Sequence, residues 1–359
     1  MKIGVMGAGT ISSVYLRFLT AHAETEVVAV ADRIPERAAQ RAQEFGVHKV
    51  LSPDALLADP DIEVVCNLTV PAAHYAVSRG ALAAGKHVYS EKPLALTYAE
   101  GQDLVARAAR SHLGLAVAPD TVLGSGLQTA RGIVDSGAMG RIVGGTLAFM
   151  NHGHESWHPD PAFYYQEGGG PVFDMAPYYL TALVSLLGPV VEVHAQARTT
   201  WSERTITSPE RRGQRIPVRT PTHIAGVLTM AQGAVVSVTF SFDVWHHQLP
   251  WGEIYGSGGT LWLPDPNTFG GPVRWAGPEQ SEPQAVPMGP GPVTESRGLG
   301  LLDLVHALAE DRPPRLDGQL GLHVLEVMEA LLIAGTTGGA QTLRSTANRP
   351  DPLLAGPGI

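Results

Sequence analysis

The chain contains a single cysteine, Cys66, among its 359 residues, so an internal disulfide is excluded. Cys66 lies in the apolar run Val64-Val65-Cys66, where a small core residue is more typical than a nucleophile. The first residues lack the long apolar segment of a cleaved signal peptide and enter a predicted strand directly. These features predict a protein of the reducing cytoplasm.

Positive charge is also scarce, since 25 basic residues face 34 acidic ones and the formal net charge is −9. The basic residues are scattered apart from a short cluster at Arg211, Arg212 and Arg215, whereas nucleic-acid binding is typical of a broad basic face. The sequence also lacks an apolar run approaching the roughly 20 residues of a membrane helix. We therefore predict neither a nucleic-acid partner nor a membrane partner.

The patterns that are present predict two domains. Strands and helices alternate through residues 1–120, which is typical of a Rossmann-type α/β domain with a parallel sheet. Long alternating runs then predict an α+β domain with a large, mostly antiparallel open sheet over residues 121–345. Within it we expect a surface loop at 264–298 and a helix at about 321–334, packing near the domain junction. Residues 346–359 are predicted to be a loose tail.

A glycine-rich motif, GAGTIS at residues 7–12, follows the first predicted strand and opens a helix. Gly7 permits a tight turn, and Gly9 lets the backbone approach a pyrophosphate at the helix N-terminus. Ser12 replaces the usual third glycine or alanine and is small enough for close packing. The second strand ends at Asp32, where a carboxylate accepts hydrogen bonds from the adenosine ribose. The predicted cofactor-binding residues of the loop are Gly7, Gly9, Thr10 and Ile11.

The choice between the two nicotinamide dinucleotides depends on Asp32 and Arg33. The Asp32 carboxylate would repel a 2′-phosphate and favours NAD, whereas Arg33 could pair with that phosphate or stack on adenine. We predict NAD and leave NADP open. Polar residues also follow the next predicted strand, at the edge where open α/β sheets bind ligands. They add the predicted cofactor contacts Asn67, Thr69, Pro71 and His74.

Two later segments carry groups suited to acid–base chemistry. One strand ends in Glu91-Lys92-Pro93, and we expect Glu91 and Lys92 to lie beside the cofactor. Residues 168–178, GGGPVFDMAPY, place Asp174 and Tyr178 four positions apart, on one face of a helix. An ammonium, a carboxylate and a phenol in one cleft can move a proton. The neighbouring Tyr179 points off that face and is interpreted as packing.

Together these segments resemble the Gfo/Idh/MocA oxidoreductase family, named for glucose-fructose oxidoreductase and inositol dehydrogenase. The resemblance covers nearly the whole chain and implies that Lys92 contacts the nicotinamide ribose and a substrate hydroxyl. It further implies that Asp174 orients a sugar hydroxyl and that the residue four positions later is the acid/base. It also implies a homo-oligomer, a dimer or tetramer, formed through the second domain's sheet. The segments that carry the resemblance are residues 7–12, 91–93, 168–178 and 323–330.

At the acid/base position, many members of that family have histidine where this chain has Tyr178. Tyrosine at this position resembles the glucose-fructose oxidoreductase and dihydrodiol dehydrogenase branches. A free tyrosine has a pKa near ~10 and needs a nearby cation to act near neutrality. We predict that Lys92 is that cation.

A histidine-rich segment, NHGHESWHP at residues 151–159, follows a strand predicted to point at the cleft. Imidazoles can bind sugar hydroxyls and indole can stack on a pyranose face, whereas the donors also suit a metal ion. The metal alternative uses His152, His154, Glu155 and His158. Because the resembling family transfers hydride through its cofactor, we predict no metal. The predicted substrate-binding residues are His152, His154, Trp157 and His158, together with Asp174 and Tyr178.

Three functions remain open from the sequence. The first is an NAD(P)-dependent oxidoreductase that moves a hydride between nicotinamide and a secondary alcohol of a sugar, glycoside or cyclitol. The second is a redox-neutral glycoside hydrolase that oxidises C3 transiently, eliminates the aglycone and retains NAD. The third is a non-catalytic NAD(P)-binding sensor, against which Lys92, Asp174 and Tyr178 argue. Trp245 opens a Trp-His-His run, interpreted as a second cleft wall or an interface patch.

Overall fold

A computed structural model of the chain describes residues 1–353 and divides into two compact units. The first unit comprises Met1–Gly124 with Pro292–Leu325, and the second comprises Ser125–Gly291 with the described residues from Glu326 onward. The elements before Gly124 are β1 (Lys2–Met6), α1 (Ser12–Thr20), β2 (Glu26–Ala31), α2 (Pro35–Phe45), β3 (Lys49–Leu51), α3 (Pro53–Ala58), β4 (Val64–Asn67), α4 (Pro71–Ala83), β5 (His87–Ser90), α5 (Tyr98–Arg110) and β6 (Leu115–Val117).

The first unit contains one parallel sheet with the strand order β3-β2-β1-β4-β5-β6. Its strands are apolar and mostly buried, as expected for a sheet covered by helices on both faces. The predicted Rossmann-type fold is confirmed, although β3 was not predicted because three residues show no alternation. The carboxyl ends of parallel strands meet at one edge, and there Gly7, Asp32, Leu68 and Glu91 follow β1, β2, β4 and β5.

The second unit is built around a large sheet and a short hairpin. Its elements up to Gly291 are α6 (Ser125–Asp135), β7 (Ile142–Met150), α7 (Gly170–Asp174), α8 (Ala176–Leu187), β8 (Val190–Arg198), β9 (Glu203–Thr205), β10 (Arg215–Pro217), β11 (His223–Met230), β12 (Val235–Ser241), β13 (Gly252–Gly256), β14 (Gly259–Leu263), β15 (Arg274–Ala276) and β16 (Gln284–Ala285). The elements after Gly291 are α9 (Leu299–Ala309), α10 (Gly318–Thr337) and β17 (Gln341–Thr342).

The large sheet has the order β16-β15-β14-β13-β7-β12-β11-β8-β17 in the described chain. Only β7 and β12 pair in parallel, so the predicted mostly antiparallel sheet is confirmed. The predicted surface loop at 264–298 contributes β15 and β16, and its Phe269 and Val273 are buried. The prediction of a surface loop is therefore wrong for β15, β16 and the buried residues before them. The prolines and glycines of this segment separate short edge strands.

Helix α9 packs with the first unit, although it lies within residues 121–345, which were predicted to form the second domain. Leu301, Leu304 and Val305 lie in the same buried cluster as the residues of β1 and β4. The amide nitrogens that precede and begin the helix donate to the buried carboxylate of Asp120. An almost uniformly apolar helix shows no polar face, so its sequence does not indicate which sheet it covers.

Helix α10 is longer than predicted, and the division between the two units falls inside it, between Leu325 and Glu326. Among residues 1–353 it is the one helix long and apolar enough to cross a membrane by length and hydropathy. However, 67% of its most apolar window is buried inside the protein, which is typical of a core helix.

The predicted loose tail is packed as far as Leu353, so that prediction is wrong for residues 346–353. The Ser345 amide just before it donates to Glu326 at 2.7 Å, Arg349 pairs with Asp135 at 2.6 Å, and the Leu353 amide donates to Gln128 at 2.8 Å. Tail residues 354–359 lie outside the described residues.

Candidate active site

The first unit has a cavity of about 290 Å³ at the carboxyl ends of β1, β2 and β4. Five of the residues predicted to bind the cofactor line it together: Gly7, Gly9, Asp32, Arg33 and Thr69. Three more lie beside it: Thr10 and Ile11 form the turn before α1, and Pro71 is the first residue of α4. The structure thus gathers residues from three separate sequence segments around one cavity.

The loop after β1 requires glycine at its first position. Gly7 has φ +104°, and a Cβ on it would lie 2.6 Å from the Leu68 carbonyl oxygen, a backbone atom that cannot move aside. A Cβ on Gly9 would meet nothing within 4 Å, so the space above it is open. Ser12 is fully buried and donates to the Gly9 carbonyl at 2.7 Å, which fits the small residue expected there. This open backbone before a helix fits a pyrophosphate.

Asp32 closes the same loop from the end of β2. Its carboxylate accepts from the Ala8 amide at 2.7 Å and from the Ile34 amide at 2.8 Å. A carboxylate has about four acceptor sites, so both oxygens can still accept from ribose hydroxyls. The residues of the cavity therefore fit the adenosine end of NAD, with Arg33 exposed on the rim.

Two other predicted cofactor contacts, Asn67 and His74, are buried and serve neighbouring residues instead. The Asn67 side chain accepts from the Thr69 hydroxyl at 2.6 Å and donates to Ser78 at 3.0 Å. The His74 ring nitrogens face the carbonyls of Pro93 at 2.7 Å and Thr69 at 2.8 Å. Burial lowers the pKa of His74. We assign both side chains to holding Thr69 and the cavity wall, in place of the predicted direct contact.

Glu91 is also a buried positioning residue. Its carboxylate accepts from the Tyr15 hydroxyl at 2.8 Å and from the Lys92 backbone amide at 2.9 Å. The following Lys92–Pro93 peptide bond is cis. These contacts fix the backbone from which the Lys92 side chain leaves the end of β5.

A second carboxylate, Asp120, is buried in the same region. Burial raises its pKa to about 6 and the charge of Glu91 adds to that rise, whereas the Gly298 and Gly300 amides oppose it. Those amides donate to Asp120 at 2.8 and 3.1 Å and tie α9 to the end of β6. Asp120 is therefore a buried carboxylate of the first unit that the sequence did not predict as a site residue.

In the second unit, Asp174 and Tyr178 lie at the junction of α7 and α8. The predicted single helix face is interrupted, because Met175 separates the two helices. Asp174 accepts from His154 Nε2 at 2.9 Å, while Tyr178 is buried near the start of α8. Lys92 belongs to the first unit, and its meeting with Asp174 and Tyr178 in one site stays a prediction.

The side chains of the histidine-rich segment make different contacts from one another. The His154 ring packs against Tyr164, Phe242 and Trp157, with centroids 4.1, 4.7 and 5.2 Å away. Trp157 is 60% exposed, and His158 accepts from the Asp160 amide at 3.0 Å. Burial lowers the pKa of both His152 and His158. In residues 1–353, no group of three or more His, Cys, Asp or Glu is arranged to hold a metal ion.

A buried charge cluster, defined as Glu155, Arg204 and Asp243, lies beneath this segment and was not predicted. Arg204 pairs with Glu155 and, at 2.9 Å, with Asp243. It also donates to the His152 carbonyl at 2.7 Å and stacks on Trp201 at 4.8 Å. Arg204 thereby holds the histidine-rich segment against β9. The sequence carries no signal for this cluster, because the burial of Arg204 within β9 is visible only in the folded chain.

Two family models match the chain. One, described as the Gfo/Idh/MocA oxidoreductase family with an NAD-binding Rossmann fold, matches residues 1–118. The other, described as the Gfo/Idh/MocA C-terminal domain, matches residues 127–262. The chain belongs to the Gfo/Idh/MocA oxidoreductase family. The predicted NAD(P)-dependent oxidoreductase of the Gfo/Idh/MocA type is confirmed, and so is the predicted cofactor NAD.

Named relatives of this Gfo/Idh/MocA oxidoreductase include sugar enzymes. A dTDP-3,4-didehydro-2,6-dideoxy-alpha-D-glucose 3-reductase of Saccharopolyspora spinosa is 30% identical over 281 residues, 77% of this chain and 77% of the relative. Levoglucosan dehydrogenase of Pseudarthrobacter phenanthrenivorans is 27% identical over 263 residues, 66% of each chain. A solved structure of levoglucosan dehydrogenase with NADH and L-sorbose has a TM-score of 0.83 at 22% identity, covering 96% of this chain and 99% of that chain, and shows the shared fold.

Proposed function

We propose that this enzyme transfers a hydride between a secondary alcohol carbon of a sugar or related polyol and NAD. The observation that carries the proposal is the His154–Asp174 pair at the junction that also presents Tyr178. A carboxylate held by an imidazole is suited to orient a sugar hydroxyl. The two relatives named above act on sugars by their names, which supports the same substrate class here.

Each residue has a separate role in this proposal. When bound, NAD supplies the chemistry of accepting or returning the hydride. Tyr178 takes the proton of the hydroxyl that becomes a carbonyl, and the Lys92 ammonium favours the charged phenolate. Asp174, oriented by His154, accepts a hydrogen bond from the adjacent hydroxyl. Glu91 and Tyr15 orient the segment that carries Lys92.

The alternatives have less support. The relatives named above are a reductase and a dehydrogenase, which favours net oxidoreduction over the hydrolytic route with retained NAD. Family membership likewise supports an enzyme rather than a non-catalytic sensor. NAD is favoured over NADP because the Asp32 carboxylate lines the cavity next to Arg33 and would repel a 2′-phosphate.

A substrate panel tests the proposal. The purified protein is assayed with NAD and with NADP against sugars, glycosides and cyclitols, including D-glucose, D-xylose, levoglucosan and myo-inositol. We expect NADH formation with at least one of them, and faster turnover with NAD than with NADP. Tight NAD binding without NADH formation from any of these compounds would contradict the proposal. Aglycone release without accumulating NADH would support the hydrolytic alternative instead.

We propose that the enzyme is a homo-oligomer formed through the open face of its large sheet. That face carries Val227, Ser237 and Thr146 in register on adjacent strands, and Val227 and Val235 are 39% and 51% exposed. Exposed apolar side chains on one face are typical of protein interfaces, and one self-complementary face is enough for a symmetric dimer.

Light scattering measures the oligomeric state directly. We expect at least twice the mass of one chain, and a shift toward one chain in Val227→Lys, because an unpaired ammonium is costly to bury. A wild-type protein with the mass of one chain at micromolar concentration would contradict the proposed interface.

We propose that the enzyme is cytoplasmic. Cys66 is buried and free, and it is the chain's only cysteine. A chain that forms no internal disulfide is suited to a reducing compartment.

A further inference from the structure

The second unit contains a cavity of about 580 Å³ that none of the roles above uses. It lies between the histidine-rich segment, the β9 strand and Trp245, and we call it the aromatic pocket. Its volume is within the range of small-molecule sites. Its lining includes His152, Ser156, Trp201, Glu203, Thr205 and Trp245.

The aromatic walls are supported from behind by other side chains. The Trp245 ring stacks on His152 with centroids 3.3 Å apart and planes 15° apart, yet Trp245 is 70% exposed. The Trp201 ring lies over the Arg204 guanidinium and is 41% exposed. Each indole is therefore held in place while much of its surface stays open to solvent. Rigid aromatic faces of this kind bind the apolar faces of ligand rings.

The polar lining suits neutral hydroxyl groups better than phosphates. Ser156 and Thr205 supply hydroxyls, and Glu203 supplies a carboxylate. His152 Nδ1 is buried and has no hydrogen-bond partner among the described residues. The cation of the lining, Arg204, is already engaged by two carboxylates, so it offers little attraction to a diphosphate.

The histidine-rich segment connects the aromatic pocket to Asp174. Gly153 has φ +85°, and a Cβ on it would overlap the Tyr165 hydroxyl and the Glu155 carboxylate. This turn sends His152 to the aromatic pocket and His154 to Asp174. The backbone positions of His152 and His154 are at most about 7 Å apart, so one short turn of the chain links the aromatic pocket to the residue that binds Asp174.

We propose that the aromatic pocket binds a second, non-reacting sugar ring, so that the preferred substrate is a glycoside rather than a free monosaccharide. This inference rests on the proposed sugar oxidation. The ring's apolar face stacks on Trp245 and Trp201, and its hydroxyls meet Ser156, Thr205 and Glu203. The first ring is then presented to Asp174.

Matched substrates and matched variants test this inference. Calorimetry on the NAD-loaded protein measures binding of D-glucose, maltose and cellobiose, and steady-state assays measure their oxidation. We expect the wild type to bind at least one disaccharide about tenfold or more tightly than glucose. Trp245→Ala and Trp201→Ala should remove that advantage and leave glucose binding unchanged. The control is Trp251→Ala, a 39% exposed tryptophan outside the aromatic pocket, which should change neither.

The outcomes separate this inference from the proposed function. Failure to oxidise any sugar overturns the sugar oxidation, whereas oxidation with equal affinity for glucose and both disaccharides overturns only the second ring site. An equal loss of glucose and disaccharide binding in Trp245→Ala would also overturn it. Tight binding of dTDP-glucose that Trp245→Ala abolishes would assign the aromatic pocket to a nucleotide base instead. Unchanged melting curves of the variants establish that they are folded.

Discussion

Replacing Tyr178 by phenylalanine is expected to lower kcat for sugar oxidation by roughly 10²–10⁴-fold, the usual contribution of a positioned acid or base. The substitution removes one oxygen and keeps the ring, which is 7% exposed and packed near the start of α8. Because the proton moves in the transition state, kcat should fall while KM changes little. Steady-state kinetics with the best sugar of the panel measure both constants.

The next residue provides a matched control. Tyr179 is fully buried, and its hydroxyl has no hydrogen-bond partner among the described residues. Tyr179→Phe therefore removes the same atom from the same helix and should leave kcat and stability close to those of the wild type. Equal losses in both variants would indicate damage to α8, and a wild-type kcat in Tyr178→Phe would contradict the acid/base role.

The cofactor end of the site could be predicted from sequence because its signals are local. The turn at Gly7 and the carboxylate at Asp32 follow two neighbouring strands, and parallel pairing alone brings their carboxyl ends together. Asn67 and His74 were predicted as cofactor contacts, whereas the structure shows both side chains buried among protein partners. Their burial depends on Ser78 and on the Pro93 carbonyl, and sequence spacing does not show these contacts.

The arrangement of the residues proposed to bind substrate depends on contacts between distant segments, so it could not be predicted from the sequence. His154 and Asp174 were each predicted, but not as a pair. Arg204 lies 49 and 39 residues from its two carboxylate partners, and Asp120 lies 178 residues from the Gly298 amide. Each of these groups has an ordinary position in its own element, so its partners become visible only in the folded chain. The same holds for α9, whose apolar surface fits either unit by composition.

Replacing Arg204 by methionine is expected to lower the free energy of unfolding by about 3–5 kcal/mol, because it leaves the Glu155 and Asp243 carboxylates buried without a counter-charge. Methionine keeps much of the side-chain volume, so the loss reports charge more than packing. The change also removes the hydrogen bond that holds the His152 carbonyl, so the aromatic pocket should lose its shape. Urea denaturation followed by circular dichroism measures the stability.

Arg215 supplies the comparison for that experiment. It pairs with Glu203 at 3.1 Å on β10, but its side chain is 74% exposed, so Arg215→Met should change stability by less than about 1 kcal/mol. Adding Glu155→Gln and Asp243→Asn to Arg204→Met removes the stranded charges and should restore part of the loss. If Arg204→Met were as mild as Arg215→Met, the buried charge cluster would not be what holds the histidine-rich segment. The orientation of His154 toward Asp174 would then need another support.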